Sequence, residues 1–410
     1  MLNKTNLSLI AILSMSIVQA DDTLTVANNF DEIFSKGKVL GQMEIMYSGH
    51  TIKNNEDPYS TAIGGQLKYE TAMINGFSAG AEFTTVHEIN GLSGDTQAKR
   101  ATLMVSAEGS YTQLSQAYLD YRSQGLTVRL GRQLIDTPLA DSDDYRIINN
   151  TFEAATLSYN YKVVKIMLGY LDRWQGTDAG LDNNQPWQDT GVDGTHFASM
   201  SFGLGKLDTS LWYYDISGQQ GDQIGNISTY LDATLHLNLS DNFALDTSIQ
   251  YLNQSENDNS GIDADIYGLM LEATLYEKIG LQLAYNRRKA DDDKTSFSGF
   301  GGGTLYTSLE NMILDTIVDG DTDAIVAGIS YEISDLSLYY MYGVYERDQT
   351  STLAKEEIIE QNFGADYSVN ENLTLTAVLT IDDNKENTDS NAIYTGGDFT
   401  NIRVSASYTF

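Results

Sequence analysis

Apolar and polar residues alternate with a period of two from Lys38 to the end of this chain, and this constrains the fold more than any other feature. Ile402, Val404, Ala406, Tyr408 and Phe410 interleave with Arg403, Ser405, Ser407 and Thr409. Leu373, Leu375, Ala377, Leu379 and Ile381 interleave with Thr374, Thr376 and Thr380. Leu269, Leu271, Ala273 and Leu275 repeat the pattern, as do Leu231, Ala233, Leu235 and Leu237. Strand side chains point alternately to opposite faces, whereas a helix repeats its apolar positions every three or four residues. Each segment is therefore a strand with one apolar face and one face of hydroxyls, amides and charges. About 18 such segments of roughly ten residues occur, each enough to cross a bilayer at a tilt.

The connectors alternate as well. Short ones carry turn chemistry: Ile74-Asn75-Gly76, Ser123-Gln124-Gly125, Gly203-Leu204-Gly205, Ser240-Asp241-Asn242 and Val369-Asn370-Glu371. Long ones fall near 49–60, 89–110, 134–150, 175–193, 217–225, 254–262, 290–321, 347–354 and 382–398. Short turns at one end and long loops at the other are the pattern of an all-β transmembrane antiparallel barrel, with periplasmic turns and extracellular loops. Pro58, Pro138 and Pro186 all lie in long connectors, as a closed ladder without edge strands requires. The 26 tyrosines suit aromatic belts at two membrane interfaces. A soluble sandwich also alternates, but it gives no reason for alternating connector lengths or for an aromatic last residue. No shared repeat motif supports a solenoid.

The N-terminus sets the compartment. Lys4, an apolar run from Leu7 to Val18 and the small-residue site Val18-Gln19-Ala20 make residues 1–20 a secretory signal peptide. Residues 21–36 are a short periplasmic lead-in, and residues 37–410 are the barrel. The chain has no cysteine, which suits an oxidising compartment and excludes thiolate chemistry. Its net charge is −33, and −34 once Lys4 leaves with the signal. So acidic a protein is not a nucleic-acid binder, and it favours cations nearby. The histidines His50, His87, His196 and His236 show no metal-ligand spacing, and no nucleophile elbow or phosphate loop appears. No catalytic residue, metal or cofactor is expected. Asp291–Asp293 and Asp319, Asp321 and Asp323 are weak Ca²⁺ candidates, for they lack the calcium-loop pattern.

Three stretches carry a resemblance. They are Phe34-Ser35-Lys36-Gly37-Lys38-Val39-Leu40-Gly41-Gln42; Leu130-Gly131-Arg132-Gln133 through Ser142-Asp143-Asp144-Tyr145-Arg146 to Asn150-Thr151-Phe152-Glu153-Ala154; and Phe300-Gly301-Gly302-Gly303. On these, the chain resembles the OprD family of outer-membrane porins over nearly its whole mature length. The resemblance implies 18 strands, a third loop (134–150) folded into the lumen as a constriction, and often a homotrimer. It also implies a ladder of basic wall residues that guides carboxylates. Here the bases are sparse and the acids outnumber them, so carboxylate specificity does not carry over directly.

Asp136, Asp141, Asp143, Asp144 and Arg146 lie in the third loop and are the expected constriction. Close-packed carboxylates in a narrowing attract cations and repel anions. By phase, Arg122, Arg129, Lys165 and Arg403 face the lumen. So do Glu44, Glu70, Glu82, Asp120, Asp232, Asp246, Glu272, Glu360 and Asp366. Phe410, ending an alternating strand, is the expected assembly signal. The function expected is a passive channel for small hydrophilic solutes and ions, with a cation preference. Expected partners are outer-membrane lipid, lipopolysaccharide and the barrel-assembly machinery. The alternatives are a carboxylate- or amino-acid-selective channel, or a surface adhesin or receptor on a barrel scaffold.

Overall fold

In a computed structural model of the chain, residues 1–24, 54–55, 97–98, 100–109, 143–145, 177–178, 180–186, 219–223, 318, 352 and 386–397 lie outside what is described. The expected signal peptide, Pro186, Asp143 and Asp144 fall among them.

Eighteen long strands follow one another: β1 Lys38–Ile52, β2 Tyr59–Glu70, β3 Phe77–Glu88, β4 Ser110–Ser123, β5 Leu126–Gln133, β6 Thr151–Tyr161, β7 Val164–Gln175, β8 Thr195–Leu204 and β9 Leu207–Ile216, then β10 Asn226–Ser240, β11 Phe243–Glu256, β12 Ala264–Leu275, β13 Ile279–Lys289, β14 Thr322–Ile333, β15 Leu336–Arg347, β16 Glu356–Ser368, β17 Leu373–Asn384 and β18 Phe399–Thr409. Each pairs antiparallel with its neighbour in sequence, and β18 closes on β1 with Ile45 opposite Ala406. Closure leaves no edge. Phe410 completes the seam, its N–H donating to Gly41 O and its carbonyl accepting from Gly41 N, both at 3.0 Å.

Burial separates this barrel from a soluble sandwich. The apolar phase is exposed: Leu130, Leu168, Leu231, Ile249, Leu269, Leu283, Ile329, Ile402 and Val404 point outward. The polar phase is buried: Gln42, Ser48, Thr84, Gln116, Gln250, Asn286 and Asn362 point inward. A water-soluble domain buries the opposite set, whereas lipid tolerates apolar side chains and satisfied backbone.

The short turns between β2 and β3 and between β4 and β5 bend through residues with positive φ, Asn75 (50°) with Gly76 (89°) and Gln124 (49°) with Gly125 (85°). Tight turns of this hand match the strand twist. The first long loop is shorter than the sequence suggests, residues 53–58. His50 N–H donates to Pro58 O at 2.8 Å, and Ile52 N–H to the Asp57 carboxylate at 3.1 Å, so the ladder runs on to Ile52.

The lead-in forms helix α1, Phe30–Ser35, capped by the Asn29 side chain accepting from Glu32 N–H at 3.1 Å. The Lys36 ammonium and the Asn28 N–H hold the Glu32 carboxyl down to about 2. Ala27 N–H donates to Met73 O and Met73 N–H to Thr25 O, both at 2.8 Å, which ties this segment to the β2–β3 turn.

Candidate pore constriction

Two long loops enter the barrel, where the sequence had suggested one. The loop between β5 and β6, residues 134–150 (L3), starts as a small hairpin pairing Asp136 with Asp141 and Thr137 with Ala140. Its apolar residues Ile135, Leu139 and Ala140 are buried against inward-facing Phe152, Tyr214 and Phe300. Leu139 N–H donates to the Tyr214 hydroxyl at 3.4 Å. Further on, Ile147 and Ile148 pack with Met46, Ala62 and Val86 of β1, β2 and β3, and Gln66 donates to the Asn149 side chain. L3 thus reaches from β9 to the first three strands.

The loop between β13 and β14, residues 290–321 (L7), occupies the other half. Its Phe300, Leu305, Tyr306, Leu309, Met312, Leu314 and Ile317 are buried among lumenal residues of β9–β17. Gln250 donates to Thr304 O at 3.0 Å, Thr307 N–H donates to Asn286 at 3.1 Å, and Tyr345 OH donates to Thr307 O. Glu310 meets Arg403 of β18 at 2.7 Å. So apolar a run is unusual for a loop outside a membrane. That excess, with Phe300-Gly301-Gly302-Gly303, is the sequence signal for an inward loop.

The two loops join. Asp141 N–H donates to Phe300 O at 2.9 Å and Phe300 N–H to Leu139 O at 3.0 Å. The Phe300 ring packs edge-on against Trp174 and Phe297, centroids 5.5 and 5.1 Å away. Gly301 needs its lack of a side chain: φ is +94°, and a Cβ would sit 2.3 Å from Asn150 Nδ2.

The expected constriction residues occupy different settings. Asp141 is half-buried at the joint, beside Gly302. Asp136 is exposed on the hairpin, and Arg146 is half-buried before Ile147.

The wall residues fall in the inward phase, and the structure pairs many of them. Arg129 holds Asp120 through two bonds of 2.7 and 2.9 Å, and Arg122 meets the same carboxylate at 3.1 Å. Lys68, an inward base the sequence reading missed, meets Glu70 at 3.0 Å. Arg129 also lies over the Tyr118 ring, 3.9 Å from its centroid. Glu82 accepts from Ser115 at 2.8 Å and Gln116 at 2.7 Å. Asp366 accepts from Thr376 at 2.6 Å, and Asp232 accepts from Ser210. Glu44 is buried, Glu272 is half-buried, and Lys165 is exposed in the inward phase of β7. His236 lies between Asp208 at 3.1 Å and Asp246 at 2.9 Å. Of the weak Ca²⁺ candidates, Asp321 and Asp323 contact Arg287 at 3.3 and 3.4 Å.

Two signature residues lie outside the lumen. Arg132 and Glu153 pair at 2.9 Å in the outward phase, above exposed Leu130, and Glu153 also binds Arg173. They form a charged rim above the lipid-facing band.

The geometry has close counterparts among solved structures. OccAB2 of Acinetobacter baumannii matches with a TM-score of 0.76 and 14% identity, over 92% of this chain and 99% of that one. OccK1 (OpdK) of Pseudomonas aeruginosa matches at 0.75 and 15%, with the same coverage. OpdK of Pseudomonas aeruginosa with vanillate matches at 0.76 and 14%, again over 92% and 99%. No protein-family model matches the sequence, and no curated protein does. An 18-stranded closed barrel aligned end to end with these neighbours has the fold of the Occ/OprD outer-membrane channels.

Proposed function

We propose that this protein is an outer-membrane porin, a passive diffusion channel for small hydrophilic solutes, and that its lumen prefers cations. One observation carries the preference: most of the lumenal bases contact a carboxylate, while several lumenal acids are held by neutral donors alone. Arg122 and Arg129 share Asp120, Lys68 is spent on Glu70, and Arg403 on Glu310. Glu82, Asp232 and Asp366 are instead held by neutral amide or hydroxyl donors, which bring no opposing charge. Charges more than about 8 Å from the path are screened at physiological salt, so these groups matter more than the total of −33. Within L3, Asp141, Asp143 and Asp144 are the carboxylates proposed to act at the narrowing, opposed by Arg146.

The test is the reversal potential of the refolded protein in a planar bilayer under a salt gradient. A cation-selective sign is expected, and changing Asp141, Asp143 and Asp144 together to Asn should shrink it. An anion-selective sign would overturn the preference. It would support the competing reading, a carboxylate channel, which the gathering of Lys68, Arg122 and Arg129 on β2, β4 and β5 favours.

The same reading takes residues 1–20 as a cleaved export signal and the assembled protein as a trimer. Mass spectrometry of the mature chain and cross-linking in membranes test these two points.

A further inference from the structure

One of the buried points that fasten L7 to the wall is a pair of carboxyl groups. Glu360 on β16 and Asp382 on β17 stand directly opposite one another in the ladder, only 0% and 3% exposed, and both reach the same turn of L7. Glu360 accepts the backbone N–H groups of Asn311 at 3.2 Å and Met312 at 2.6 Å, and the Asn362 side-chain amide at 2.7 Å. Asp382 Oδ2 accepts the Asn311 side-chain amide at 2.7 Å, while Asp382 Oδ1 is buried without a hydrogen-bond partner.

The surrounding charged groups are engaged elsewhere. Glu310 of L7 binds Arg403 of β18 and accepts from Tyr339 of β15 at 3.3 Å. Tyr345 of β15 donates to Thr307 O and Met312 O. Arg347 of β15 lies 3.5 Å from Glu356 of β16. Asp366, lower on β16, accepts from Thr376 of β17. His50 of β1 meets Asn401 of β18 at 3.1 Å. Among the described residues, neither Glu360 nor Asp382 has an ion-pair partner.

Two adjacent buried carboxyl groups without a cation resist ionising together. Three N–H donors satisfy Glu360 as a carboxylate. Asp382 has one oxygen filled and one empty, the arrangement a proton completes. We propose that Glu360 and Asp382 share one proton, and that in this form they are the positioning residues that hold L7 inside the lumen. The inference rests on the channel reading and extends it, for the width of the path then depends on that proton. When the proton leaves to lumenal water, two like charges face each other, and their repulsion drives apart the two side chains that together hold the Asn311–Met312 turn. The loop is held at low pH and released as pH rises.

The full mature protein in planar bilayers tests this between about pH 6 and pH 10, a range above the ordinary carboxylate pKa. Wild type should show a reversible rise in single-channel conductance. Asp382→Asn should stay at the low level throughout, because its amide can accept from Asn311 and donate to Glu360 with no proton to lose. A flat wild-type profile, or a rise in Asp382→Asn equal to wild type, would overturn the proposal. Infrared spectra of the wild type give a second reading that does not depend on the variant assembling. A protonated-carboxyl band at neutral pH should fade over the range in which conductance rises, and its absence at neutral pH refutes the shared proton. Failure to conduct at any pH would instead refute the channel reading, leaving the infrared band to decide the latch.

Discussion

Replacing Phe300 with Ala should undo the joint between L3 and L7 while sparing the barrel. The Phe300 side chain is buried, with its ring against Trp174 and Phe297. Truncating such a ring costs about 3–5 kcal/mol, the lower end where neighbours can collapse into the space. A loop can collapse better than a strand, so about 3 kcal/mol is the fair value here. At 1.36 kcal/mol per factor of ten, that weakens docking by roughly a hundredfold. The backbone bonds of Phe300 to Leu139 and Asp141 survive the substitution, and no ladder bond of the eighteen strands involves the residue. Membrane levels and heat-modifiable migration on gels should therefore match wild type. Single-channel conductance should rise and become noisier, and L7 should become cleavable by added protease. Wild-type conductance together with wild-type protease resistance would refute the claim that this ring fastens the loops.

Three further substitutions probe other parts of the molecule. Gly301→Ala meets both a positive φ and a 2.3 Å contact. It should cost about 1–3 kcal/mol and raise conductance in the same direction, while Gly91→Ala, which meets nothing within 4 Å, should not. Asp120→Asn uncovers Arg122 and Arg129 and should move the reversal potential toward anions; an unmoved potential would place these bases off the permeation path. Deleting Phe410 removes two bonds of the closing seam and should lower the amount of assembled protein in the membrane, read by gel migration, with little change in the selectivity of what does assemble.

The strands were legible because a period of two is a local property. Leu375, Leu379, Ile402 and Val404 declare their face by their immediate neighbours, so strand number and inward phase could be read directly. The interior was less legible. Asp120 belongs with Arg129 and Arg122 through a register that sequence order only partly suggests. Glu310 and Arg403 lie 93 residues apart and meet across a loop. Charge and glycine content do not show the entry of L7; its buried Leu305, Leu309, Met312 and Leu314 are the informative residues. Arg132 and Glu153 show the opposite failure. They sit in a signature stretch beside a pore loop, yet unbroken alternation from Leu130 and Ala155 sets them outside, and the β-bulge opposite them, with Asp172 as the extra residue of β7, turns Arg173 to the same side.

The closing seam dictates how such a chain must be made. Seventeen of the eighteen pairings join neighbours in sequence, so most of the sheet can form by hairpins added one to the next. The last pairing is of another kind: Gln42 binds Ser407 across 365 residues at 2.8 Å. Non-local pairings are slow to form, because loop entropy is lost before contacts repay it. Until that event the growing sheet has two unpaired margins, β1 and β18, each able to recruit another chain. A polypeptide built this way is safest when its ends are kept apart from other unfinished copies and delivered to each other at the lipid surface. Its final residues then act as the zipper pull of the whole structure.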